Sequence, residues 1–175
     1  MRHSSHAYLV STAKTADIDA ITALLQANSP SQGGSLTGEF SLEKVATMAD
    51  GVSPVIVARR VADVPVVGVL FSAAPATVQA PVVLAMLAAY AGSDNAYAYV
   101  YGPVCIADSE RGQGLLALLY AALRAQHGGA EAVLFIRRDN IGSLRAHERL
   151  GMREVAGFVF DGAQFAVYSD AVVAQ

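Results

Sequence analysis

The order of segments along the chain predicts an α/β fold: a twisted mixed sheet of about seven strands with helices on both faces. Three observations carry this. Short β-branched and aromatic runs alternate with helical patterns in the order β-α-α-β-β-α-β-α-β-α-β-β. The run from Tyr97 to Ile106 empties through a glycine-bearing loop into a leucine-rich helical segment, which a further strand follows. The chain then closes on two runs around Asp161-Gly162, a pair that suits a tight hairpin.

Each element has a local reason. Tyr8 to Ser11 reads as the first strand. Thr15 or Asp17 opens an amphipathic helix to about Ala27, with Ile18, Ile21, Leu24 and Leu25 on its apolar side. Asn28 to Gly38 is a Ser/Gly/Pro loop. Ser41 caps a second helix ending near Asp50 and Gly51, with Lys44 where a capping box would place an acid. Val55 to Arg59 and Val66 to Ala73 read as strands paired around Ala62-Asp63. Val64 to Ser93 holds no charged residue, but Pro65, Pro75 and Pro81 divide it, so no membrane span is expected. Pro81 instead begins an apolar helix to Tyr90, whose lack of a polar face requires cover from the sheet or from a second copy in a homodimer. Gly114 to His127 is the main helix, Ala132 to Ile136 the next strand, and Val155 to Phe160 and Gln164 to Tyr168 the closing pair. Asn140 is a good N-cap for one more helix, and Gly151 suits the position just past its end.

A chain of 175 residues can bury one substantial core, so a single domain over residues 1–175 is expected. The net charge of -3 leaves no basic footprint for nucleic acid. One cysteine excludes an intramolecular disulfide and suits a reducing compartment. No signal-peptide core follows Met1-Arg2-His3-Ser4-Ser5-His6, so a cytoplasmic location is expected.

Two segments carry chemistry. In Arg111-Gly112-Gln113-Gly114 the glycines let the backbone turn sharply and approach a bulky anion. The N–H groups at the start of the following helix then suit a diphosphate. The loop is not the dinucleotide fingerprint: Leu115 and Leu116 stand where a third small residue would fall, and the loop lies past the middle of the chain. In the second segment Asn140, Ser143, Leu144 and His147 are spaced i, i+3, i+4, i+7 and share one helical stripe. Three of the four are polar, while Arg145, Glu148 and Arg149 lie off the stripe, which points to a ligand-facing surface.

In this order and spacing the two segments resemble the GNAT N-acetyltransferase superfamily. Arg111-Gly112-Gln113-Gly114 is similar to its pyrophosphate motif, Arg/Gln-x-x-Gly-x-Gly/Ala, with Leu116 in place of the last small residue. Asn140 to Met152 is similar to Asn-x-x-Ala/Ser-x-x-x-Tyr/His-x-Lys/Arg-x-Gly-Phe/Met. The clear match spans Tyr97 to Val155; the N-terminal half agrees only in its order of elements, with the helix after Pro81 as an extra.

The resemblance implies an acetyl-CoA-dependent N-acetyltransferase that uses acetyl-CoA as co-substrate and no metal. Amides from Arg111, Gly112, Gln113, Gly114, Leu115 and Leu116 would hold the pyrophosphate. Val104, Cys105 and Ile106 would offer backbone groups to the pantetheine and acetyl carbonyl, and Asn140 and Ser143 would line the pantetheine arm. His147 stands where many members carry the tyrosine that protonates the departing thiolate; it would donate that proton or merely pack. Tyr97, Tyr99 and Tyr101 alternate onto one face, and Tyr101 is the second catalytic candidate. Cys105 as a nucleophile lacks an evident activating base. Glu39 and Asp94 are both open as the base, and the acceptor is an undetermined small-molecule or peptide amine. The alternatives are a catalytically idle acyl-CoA-binding module and an interaction module on the same fold.

Overall fold

The structure is a computed structural model that describes residues 7–61, 64–90 and 98–172. In chain order its elements are β1 (Tyr8–Thr12), α1 (Ile18–Ala27), α2 (Leu42–Ala49), β2 (Ile56–Arg60), β3 (Val66–Ala73), α3 (Pro81–Ala89), β4 (Ala98–Ile106), α4 (Leu115–Gln126), β5 (Glu131–Arg137), α5 (Ile141–Arg149), β6 (Arg153–Phe160) and β7 (Ala163–Ser169). The strands form one mixed sheet in the order β1-β2-β3-β4-β5-β7-β6. Only the β4–β5 pairing among the registers described is parallel; β1–β2, β2–β3, β5–β7 and β6–β7 are antiparallel. This is the mixed α/β sheet that the sequence predicts. Element boundaries differ from the expected ones by a residue or two, because strand ends follow their partners as much as their own propensity. Tyr97 and the Ala62-Asp63 turn lie outside the described residues.

The chain groups into two compact units. The first comprises residues 1–71 and 103–126, the second residues 72–102 and 127–175.

In the first unit, strand alternation sends side chains to two layers. Val55 and Val57 join Ile21, Leu25, Val45, Val69, Phe71 and Cys105 in a core under α1 and α2. On the opposite face Gly68 admits α4: a Cβ there would stand 3.2 Å from both Leu115 and Leu119. Leu115, Leu119 and Leu123, at i, i+4 and i+8, are fully buried along one stripe of α4. Ser41 caps α2 as expected, its Oγ accepting from Lys44 N at 3.1 Å. With no acid at position 44, the lysine turns back instead, donating to the Glu39 carbonyl at 2.9 Å and lying over the Phe40 ring.

In the second unit α3 packs on β5 and β6. Met86 is buried with Val100, Val133 and Val167, and Val83 and Leu87 lie against them. The sheet thus covers one side of the apolar helix, while Pro81, Leu84 and Ala88 face outward, Leu84 at 47% exposure. The other face of this part of the sheet carries Tyr99, Tyr101 and α5. Asp161 and Gly162 both have positive φ, 48° and 74°, and close the β6–β7 hairpin. No helix among the described residues is long and apolar enough to cross a membrane.

Candidate functional site

In the first unit a single 3-10 turn, Asp108–Glu110, leads from β4 into Arg111-Gly112-Gln113-Gly114. Gly112 and Gly114 have φ of +73° and +80°, which only glycine adopts without strain. A Cβ on either would have nothing within 4 Å, so open space lies outside both. The polar side chains beside them are exposed but tethered. Arg111 pairs with Asp108 at 2.8 Å, donates to Asn28 Oδ1 at 2.8 Å and to the Ile106 carbonyl at 3.2 Å. Gln113 Nε2 donates to the Ser109 carbonyl at 2.9 Å. The loop is exposed from Arg111 to Gly114, at the start of the twelve-residue helix α4, and at the two glycines it presents backbone alone. Leu115 is buried and Leu116 half-buried, so the departure at position 116 is taken up by packing at the helix surface.

Of the β4 candidates in this unit, Val104 and Ile106 are half-buried and Cys105 is buried. The Cys105 Sγ donates to the Leu24 carbonyl at 3.7 Å, and burial pushes its thiol up to about 12. At pH 7 roughly one thiol in 10⁵ would be ionised, which argues against covalent catalysis. Glu39 borders a cleft of about 590 Å³ with Gln26, Ser29, Ser31, Gln32 and Phe40. Its carboxylate accepts from Ser31 N at 2.9 Å and Ser31 Oγ at 3.0 Å, and the backbone bond leads in holding it below the usual carboxylate range. A carboxylate stabilised in its ionised form is a weak general base. Asp94 lies outside the described residues.

In the second unit Asn140 caps α5, its Oδ1 accepting from Ser143 N at 3.2 Å. Gly151 takes φ of +85° just past the helix end, as expected. His147 is 2% exposed. Its Nδ1 stands 2.8 Å from the Ser143 carbonyl and 3.4 Å from the Ser143 hydroxyl; its Nε2 stands 3.1 Å from the Tyr101 hydroxyl. The rings of Tyr101 and His147 meet edge to face at 5.5 Å. A carbonyl can only accept, so Nδ1 carries the proton and Nε2 presents a lone pair to the Tyr101 O–H. Burial lowers the His147 pKa, and the Ser143 carbonyl offsets that only in part. At neutral pH His147 is thus a neutral acceptor. The direct proton donor that the sequence suggested would need the opposite tautomer or the cation; the Ser143 carbonyl disfavours the first and burial the second.

The second unit brings together Tyr101, Asn140, Ser143 and His147; the loop and Val104 to Ile106 belong to the first unit. Sequence reasoning missed a second aromatic pair on the same face as Tyr101. Tyr99 stacks on His127 at 3.7 Å and 5°, and His127 Nε2 lies 3.0 Å from Ser72 Oγ. It also missed the buried carboxylate of Glu110, at 2% exposure, which accepts from the Tyr8 hydroxyl at 2.6 Å and pairs with Arg60. The alternation of Tyr99 and Tyr101 was a usable signal for the first; an acid in a polar turn gave none for the second.

No protein-family model and no curated protein matches the chain. Solved structures do. A GCN5-related N-acetyltransferase from Kribbella flavida superposes with a TM-score of 0.70 at 17% identity, over 95% of this chain and 98% of that one. A Salmonella typhimurium protein whose structure holds its cofactor acetyl-CoA gives 0.70 at 17%, over 97% of each. The ribosomal-protein-S18-alanine N-acetyltransferase from Escherichia coli gives 0.66 at 14%, over 93% of this chain and 92% of that one. The chain has the fold of the GNAT N-acetyltransferases.

Proposed function

We propose that this chain is a single acetyl-CoA-dependent N-acetyltransferase domain acting on a primary amine. The observation that carries the reading is the Arg111–Gly114 loop: in an acetyltransferase fold, its two positive-φ glycines leave exposed backbone and open space at a helix start.

Acetyl-CoA would fit that loop, its diphosphate on the amides of Arg111 to Leu116, and would supply an activated acetyl thioester. By the resemblance, Val104 to Ile106 would offer backbone groups to the acetyl carbonyl and pantetheine, and Asn140 and Ser143 would line the pantetheine arm. The amine attacks the carbonyl directly, and positioning together with backbone donors does most of the catalysis. Tyr101 and His147 carry the proton. Tyr101 passes its hydroxyl proton to His147 Nε2 while its oxygen takes one from the attacking nitrogen, directly or through water. The Ser143 carbonyl steadies the imidazolium. His147 then returns its proton through Tyr101 to the departing sulfur, so the proton lost by nitrogen ends on the thiol.

Calorimetric titration with acetyl-CoA, followed by a thiol-release assay against a panel of amines, tests this. Saturable binding with amine-dependent release is expected. Binding without release on any amine would leave an idle acyl-CoA module; no binding would leave a scaffold. Self-association through the outward side of α3 belongs to the same proposal: light scattering should give a dimer mass at micromolar concentration, and a monomer throughout would exclude it.

A further inference from the structure

The carboxylate of Glu110 is unexplained by the reaction and expensive to bury: an ion removed from water costs several kcal/mol unless it is well paired. It is 2% exposed and lies directly before the loop just assigned to the diphosphate. Three groups satisfy it. The Tyr8 hydroxyl on β1 donates to Oε2 at 2.6 Å, Arg60 on β2 pairs with Oε1, and the Ser109 hydroxyl lies 3.3 Å from Oε1. The same Tyr8 hydroxyl stands 3.3 Å from Gln113 Oε1, inside the loop. Tyr8 and Arg60 face each other across the β1–β2 register, so the two partners form one platform.

The loop needs such a platform. Gly112 and Gly114 have no side chains to anchor it, and their surroundings are open. Arg111 and Gln113 tether it through their side chains, and its flanks supply the buried anchors. On the C-terminal side Leu115 is driven into the core beside Gly68. On the N-terminal side the buried element is Glu110. The arrangement also keeps an acid beside an anion site harmless, because Arg60 neutralises it. Tyr8 leads among the groups that hold the Glu110 carboxyl below its usual range, so it stays ionised and available to Arg60.

We propose that Glu110, held by Tyr8 and Arg60, is a positioning residue that fixes the Arg111–Gly114 loop in its anion-binding conformation. The proposal rests on that loop being the diphosphate site. Two sets of measurements separate it from that reading. The first needs no ligand: tryptic cleavage after Arg111 reports loop order. Glu110→Ala should speed it at least ~10-fold, with cleavage after Arg145 on α5 unchanged. The second uses acetyl-CoA: Glu110→Ala should raise Kd and KM at least ~10-fold while kcat stays within about 3-fold. Glu110→Gln, which keeps the shape and the acceptor oxygen, should return both to within about 3-fold of the parent. Should Glu110→Ala fail to fold, Tyr8→Phe should move cleavage and Kd in the same direction by about 3-fold. Unchanged cleavage, or acetyl-CoA binding that stays equal or tightens, in a folded variant would overturn the proposal. So would a fall in kcat at constant KM. If the parent itself does not bind acetyl-CoA, the diphosphate reading fails, and the cleavage arm still decides whether Glu110 orders the loop.

Discussion

Gly114→Asp is expected to weaken acetyl-CoA binding by about 30-fold or more. Two effects follow from the change. Gly114 sits at φ of +80°, where an L-residue is strained by about 1 kcal/mol. The new carboxylate would also enter the open space outside the loop, where nothing lies within 4 Å of a Cβ. A negative charge there repels a diphosphate, and Arg60 is already engaged by Glu110. The strain falls on the fold; repulsion and the bulk of the new side chain should weaken binding by at least ~2 kcal/mol, about 30-fold. The space is open, so the fold should tolerate the change: the thermal midpoint should fall by only a few degrees, about what ~1 kcal/mol gives in a domain of this size. Calorimetry and a melting curve on the same sample make the check. Undiminished affinity in a folded variant would remove the diphosphate assignment.

If the proposed relay operates, His147→Ala should lower turnover by roughly 10²-fold while acetyl-CoA affinity barely moves, because the relay acts in the transition state and not in the ground-state complex. Tyr101→Phe should cost about as much, and the double variant little more than either alone, since the two act as one relay. His147→Gln separates relay from simple positioning. Its amide oxygen can accept the Tyr101 hydrogen bond but cannot take the proton, so activity should stay low. Recovery with glutamine would make His147 a positioning residue. The pH profile adds a sign. A relay that begins with neutral imidazole works above the His147 pKa, and burial sets that pKa below the ordinary histidine value. The acidic fall in kcat should therefore lie below about pH 6.5, and alanine at 147 should erase it.

Much of the fold was legible because its signals are local. Asn140 and Gly151 bracket α5 through a cap and a positive-φ stop, and Asp161-Gly162 fixes the hairpin; each needs only its neighbours. The loop was legible for the same reason, its glycines being required by their own dihedral angles. What escaped depends on residues far apart in sequence. The Tyr101–His147 bond joins β4 to α5, and the tautomer follows from a backbone carbonyl that no side-chain pattern reveals. Glu110 finds its partners on β1 and β2, so its burial is decided by strand pairing and not by the turn that contains it. Glu39 looked like a free loop acid until its bonds to Ser31 appeared. The charge-free stretch around α3 gave the need for cover but not its source, since an apolar helix has no face to say which side meets β5 and β6.

The chain has one cysteine, and burial keeps its thiol from ionising. Disulfide-exchange reagents consume thiolates, so the folded protein should stay silent in the colorimetric detection of liberated coenzyme. Amine panels could be read continuously at high protein concentration, with no cysteine-free variant required for a clean baseline. A surface cysteine introduced on the outward side of α3 would likewise be the only reactive sulfur, ready for a single label.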